Sequence, residues 1–63
     1  MTKKEHDISN SIHKAFDEHA ISPWDRAVEL IREQGYKMSP QTSRTVAILF
    51  DHIRRELTLK GAI

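Results

Sequence analysis

No cysteine occurs among these 63 residues, so neither a disulfide nor a thiolate-ligated metal is available to hold the chain together. Glycine is nearly absent too, with two residues, and that excludes a glycine-rich phosphate loop. No run approaches the ~20 apolar residues of a membrane-spanning helix. The opening Met1-Thr2-Lys3-Lys4-Glu5-His6 lacks the apolar centre of a secretory leader. A cytoplasmic protein without membrane contact is the expectation. One domain of this size buries only about 60% of the surface of its unfolded chain. Close helix packing and self-association are the remaining sources of stability.

Two start signals punctuate the chain. Ser22-Pro23-Trp24-Asp25 and Ser39-Pro40 each place a serine cap before a proline at the first helical position. Proline suits that position because its missing N–H has no partner there in any helix. Asp25 stands where it would complete a capping box with Ser22. Apolar residues then recur at helical spacing: Ile8, Ile12, Ala15 and Phe16; Trp24, Ala27, Val28, Leu30 and Ile31; Val46, Leu49, Phe50, Ile53 and Leu57. No alternating run reads as a strand. The expected fold is all-α, a three-helix domain with helices over about 4–19, 23–34 and 40–60. Gly35 is placed to end the second helix. The ends, roughly 1–4 and 61–63, are expected to fray. Trp24 reads as core against Phe16 and Phe50, with a partner anchor as the other role open to it.

Formal net charge is only +1, but it is divided. Residues 1–31 carry four Lys/Arg against six Asp/Glu, a net −2, and residues 32–63 carry six against three, a net +3. A basic half of this strength permits weak DNA contact and falls short of the dense cationic field that drives strong binding. The segment around Gly35 has the outline of a helix-turn-helix. In that outline Gln41, Thr42 and Arg44 fall at the start of the reading helix, with Arg54 and Arg55 as further DNA candidates. The connection has the wrong length for the tight form of the motif.

Catalytic chemistry finds no support: there is no cysteine nucleophile and no Ser/His/Asp set, so no catalytic or cofactor-binding residue is assigned. The four histidines do not converge. His6 and His13 lie about 10 Å apart along one helix, and His13, Asp17 and Glu18 would hold a metal only weakly, so no metal site is assigned and the histidines are expected on the surface.

The third helix carries a second pattern beside its core stripe. Asp51 has Arg54 at i+3 and Arg55 at i+4, both neighbours on a helix surface. Ile48 and Leu59 fall on the far side with His52 and Arg55 between them. Two apolar residues on a face that a monomer leaves wet point to a docking or dimer surface. Asp51, Ile48, His52, Arg55 and Leu59 are therefore the partner-binding candidates.

Residues Ile31 to Leu59 resemble the Hha/YmoA family, small helical modulators of gene expression in enterobacteria. Tyr36-Lys37-Met38-Ser39 is similar to the family's Tyr-x-Leu-Ser, and Asp51-His52-Ile53-Arg54-Arg55-Glu56-Leu57-Thr58 resembles its Asp-His-Arg-x-x-Glu-Leu-Thr block. Ile53 stands where the family has arginine, and the family's fourth helix has no counterpart. The resemblance implies a non-enzymatic protein that binds the oligomerisation region of the nucleoid protein H-NS. It also implies that Asp51 faces basic residues of that partner. The expected function is regulation of gene expression by protein–protein interaction. Direct DNA binding and a self-assembling accessory or inhibitor protein of a mobile element are the alternatives, and a homodimer is compatible with each.

Overall fold

The computed structural model describes residues 2–62, which form α1 (Lys3–Asp17), α2 (Pro23–Glu33) and α3 (Pro40–Leu59). All three helices stand where the apolar periodicity puts them, and no strand occurs among the described residues. The beginning of α1 is firmer than expected. The Thr2 hydroxyl accepts from the Glu5 N–H, and the Glu5 carboxylate accepts from the Thr2 N–H, a complete capping box. Residues 2–4 are thus built into the helix start and not frayed; Met1 and Ile63 lie outside the described residues. Ser22 and Asp25 form only half a box. Ser22 Oγ accepts from the Asp25 N–H at 3.4 Å with no bond in return, because aspartate is one methylene shorter than the residue that normally reaches back.

The helix ends share one device. At the end of α1 the His19 N–H donates to the Phe16 carbonyl and the Ala20 N–H to the Ala15 carbonyl, the paired bonds of a Schellman turn. The end of α3 repeats it, with Gly61 N–H to Thr58 and Ala62 N–H to Leu57. Such a turn requires a left-handed residue. Gly61 supplies it at φ 73°; Gly35 is left-handed as well after α2, at φ 94°, where the inner bond, Gly35 N–H to the Arg32 carbonyl, forms alone. After α1 the position falls to His19, at φ 54°. This stops α1 at Asp17, two residues before the expected end. Relieving the Cβ clash there outweighs the backbone freedom that glycine restores to the unfolded chain. His19→Gly is therefore expected to stabilise the fold by about 0.5–1 kcal/mol, read as a rise of ~4 °C in Tm. An unchanged or lower Tm would show that His19 makes a compensating contact.

The central element is α1. Ile8, Ile12 and Ala15 are fully buried and Phe16 nearly so, because α1 packs against both other helices while α2 and α3 touch each other much less. Opposing pairs set the directions. Arg26 of α2 meets Glu18 beyond the end of α1, and Gln34 after α2 meets Ser11 in its middle, so α2 runs antiparallel to α1. Lys4 meets Thr42 and Phe16 meets Phe50, so α3 runs in the same general sense as α1. Ala27 and Ile31 from α2, and Val46 and Ile53 from α3, complete the core. Phe50 is its aromatic hinge: its ring centroid lies 5.2 Å from Phe16 and 5.4 Å from Trp24, edge-on to the indole. Trp24 is half-buried against the core, the packing role open to it from its spacing.

Polar bonds tie the helices at their rims. Ser11 Oγ donates to the Asp7 carbonyl and accepts from Gln34 Nε2 at 2.7 Å, so the one buried serine has its partners. Arg26 donates to Glu18 at 2.8 Å and also to Glu29. That hydrogen bond, followed by the positive charge of Arg26, holds the Glu18 carboxyl below its ordinary value. The pair therefore stabilises the fold above the usual carboxylate range and stops doing so on acidification.

Tyr36, in the connection before α3, donates to Asp7 Oδ2 at 2.6 Å. This hydrogen bond, with partial burial and the negative charge of Asp7, raises the phenol above its ordinary value of 10.0. Folding thus favours the neutral phenol, so its contribution is complete below that value and is lost as pH rises beyond it. Tyr36→Phe is expected to lower Tm at neutral pH by ~5 °C and to flatten the alkaline limb of the stability curve. A variant with the same alkaline limb as the parent would refute the role given to this bond.

Candidate interaction surface

The third helix is long because it must run past the rest of the molecule. Its 20 residues span about 30 Å, matching the longest extent of the domain, 32 Å. One side of it is core: Thr42, Val46 and Ile53 are buried, and Leu49, Phe50 and Leu57 are half-buried. With α1 on that side, the opposite side has no protein against it.

That wet side holds the residues expected there. Ile48 is 62% exposed and Leu59 87% exposed, and His52 and Arg55 between them are exposed as well. At 100° per residue these four fall within a narrow stripe roughly opposite Val46, Ile53 and Leu57. Asp51 borders the stripe and is partly accessible. Its two carboxylate oxygens each face one guanidinium: Oδ1 accepts a hydrogen bond from Arg54 at 3.1 Å, and Oδ2 forms an ion pair with Arg55 at 3.1 Å. The acid is therefore held in place by its own helix, and a partner that uses it must compete for it. His52 Nε2 lies 3.0 Å from Glu56, a second i,i+4 pair on the same helix. Beside Leu59, the chain forms a shallow and mostly apolar groove lined by Arg54, Arg55, Thr58 and Leu59. Its apolar character comes from Leu59 and the arginine stems, whose charged heads lie against Asp51.

The DNA candidates separate. Gln41 and Arg44 are exposed on the first turns of α3. Thr42 is not available: it is 1% exposed, and its hydroxyl oxygen accepts from Lys4 Nζ at 2.7 Å and from Ser39 Oγ at 3.1 Å. The helix turns Thr42 inward because it lies four residues before Val46, on the core side. Arg54 and Arg55 are exposed but share Asp51. His6, His19 and His52 are exposed and His13 is half-buried. No group of three metal-ligating side chains converges among the described residues.

Some contacts could not be expected from the chain. The Tyr36–Asp7, Gln34–Ser11 and Lys4–Thr42 bonds join residues 29, 23 and 38 positions apart, and no local pattern marks such pairs. Ile21, in the short connection after α1, stands fully exposed. Among the described residues no helix is long and apolar enough to cross a membrane. No family model matches the chain, and comparison with curated proteins and with solved structures finds no match either.

Proposed function

We propose that this protein is a non-enzymatic regulator of gene expression that works by docking the outer face of α3 on a protein partner. The supporting observation is the second, unpartnered side of that helix: two large aliphatic side chains, Ile48 and Leu59, stand in water with an ionic edge at Asp51 beside them. Aliphatic anchors rimmed by charge are the ordinary make-up of a docking patch. The resemblance to the Hha/YmoA modulators supplies the partner, an H-NS-like nucleoid protein that presents basic residues to Asp51.

Titration with the N-terminal oligomerisation segment of an H-NS-type protein tests this. The wild-type chain is expected to bind. Asp51→Asn should weaken the complex about tenfold and leave Tm nearly unchanged, since an exposed intrahelical pair contributes little to folding. Absence of binding by the wild-type chain would overturn the reading, and an equal loss of thermal stability would make Asp51 structural. Direct DNA contact is the second reading, favoured by the exposure of Gln41 and Arg44 at the start of α3. It requires affinity for duplex to fall steeply with salt and to weaken on Arg44→Ala. The commitment of Arg54 and Arg55 to Asp51 weighs against it.

A further inference from the structure

The outer face of α3 is complementary to its own reverse. From the N-terminal side it presents an aliphatic residue, Ile48, an acid, Asp51, a base, Arg55, and an aliphatic residue, Leu59. Ile48 and Leu59 are centred between residues 53 and 54, and Asp51 and Arg55 are centred on residue 53. The two midpoints differ by half a residue, about 0.75 Å along the axis. We propose that this face is self-complementary and that its occupant is a second copy of the chain, docked antiparallel about a two-fold axis that crosses the open side of α3 at the level of residue 53.

In that arrangement Ile48 of one copy lies against Leu59 and the arginine-stem groove of the other. Asp51 of each copy faces Arg55 of its partner, and the same contacts recur on the other side of the axis, as a two-fold interface demands. A parallel arrangement would instead set Asp51 against Asp51 and Arg55 against Arg55. The charges therefore choose the direction. They supply little of the affinity, because each copy already satisfies Asp51 internally with Arg54 and Arg55 at 3.1 Å and merely exchanges one partner for another. The affinity comes from withdrawing Ile48 and Leu59 from water. A standard interface of ~800 Å² per partner would take nearly a fifth of the 4473 Å² surface of the domain, more than two aliphatic anchors on one helix face supply. The dimer is accordingly transient, and it occupies the same face that the regulatory partner would take. The inference deepens the docking reading of α3 and rests on it.

Sedimentation equilibrium on the purified full chain over a concentration series is the test. The mass is expected to rise from 7.3 kDa towards twice that value. Ile48→Glu should stay monomeric throughout with unchanged far-ultraviolet circular dichroism. Asp51→Arg alone and Arg55→Asp alone should each be monomeric, since each sets like charges across the axis, while an equimolar mixture of the two should dimerise. Direction is read by mixing Ile48→Cys and Leu59→Cys chains, which is straightforward in a protein without native cysteines. Oxidation should give the mixed 48–59 disulfide in preference to either symmetric one.

A mass that stays monomeric at the highest concentration, a charge-swapped mixture that remains monomeric, or a dominant 48–48 disulfide would each overturn the dimer. The outcomes also separate the two readings. A strictly monomeric chain that binds the H-NS-type segment removes the dimer alone, and a dimer that ignores that segment removes the regulatory reading alone.

Discussion

Ile12→Ala is expected to remove about a third or more of the stability of the fold. Ile12 is fully buried at the centre of α1, the helix against which both others pack. Truncating such a side chain removes its transfer free energy and leaves a cavity that the close-packed surroundings fill only in part, a loss of about 3–4 kcal/mol. A domain of this length has only about 3–9 kcal/mol to lose, and it has no disulfide to limit the unfolded ensemble. Ile12→Val removes one methyl and should cost about 1 kcal/mol. Thermal and urea melts of the two variants measure the effect. Equal stabilities would mean that the interior around α1 is loosely packed and re-forms around the gap. Because α1 carries none of the outer face, both variants should lose partner binding only in proportion to the fraction unfolded.

The second large effect is expected at Phe50. It is the aromatic residue of α3, and its ring touches Phe16 of α1 and Trp24 of α2 at once. Phe50→Ala removes two aromatic contacts together with part of the shared apolar surface. Since Phe50 is only half-buried, the loss is put at about 2–3 kcal/mol, or ~15 °C in Tm. Phe50→Leu keeps most of the volume and loses the ring geometry, so its Tm should fall about midway. Trp24, the single tryptophan, reports independently: its emission should move to longer wavelength in Phe50→Ala as the indole gains water. A Tm within experimental error of the parent, with emission unchanged, would show that α3 is held by Val46 and Ile53 without this hinge.

Much of the architecture was legible before any tertiary information. Ile8, Ile12, Ala15 and Phe16 recur at helical spacing, and all four are buried. The two serine–proline pairs mark the true starts of α2 and α3, because proline at a first helical position and serine before it satisfy backbone groups that any helix start leaves orphaned. Ends are harder to place. The left-handed turn at His19 uses a residue that gives no glycine signal, and the Thr2–Glu5 box lies in a segment expected to fray. Thr42 shows the same limit at the level of the site. As a threonine among polar neighbours it reads as a surface residue; its place four residues before Val46 turns it to the core side, and Lys4 on another helix supplies its polar partner there.

The stripe of Ile48, His52, Arg55 and Leu59 was also visible as a pattern, since four residues at intervals of four, three and four must share a side of any helix. Whether that side is wet depends on where α1 and α2 lie, which depends on distant pairs. Local physics thus determined the three helices, their caps and the membership of each face, because those follow from backbone geometry and a period of 3.6 residues. The packing decided which helix is central and which face of α3 stays open. Those outcomes depend on the sum of many weak contacts between segments far apart in the chain, and no local spacing encodes such a sum.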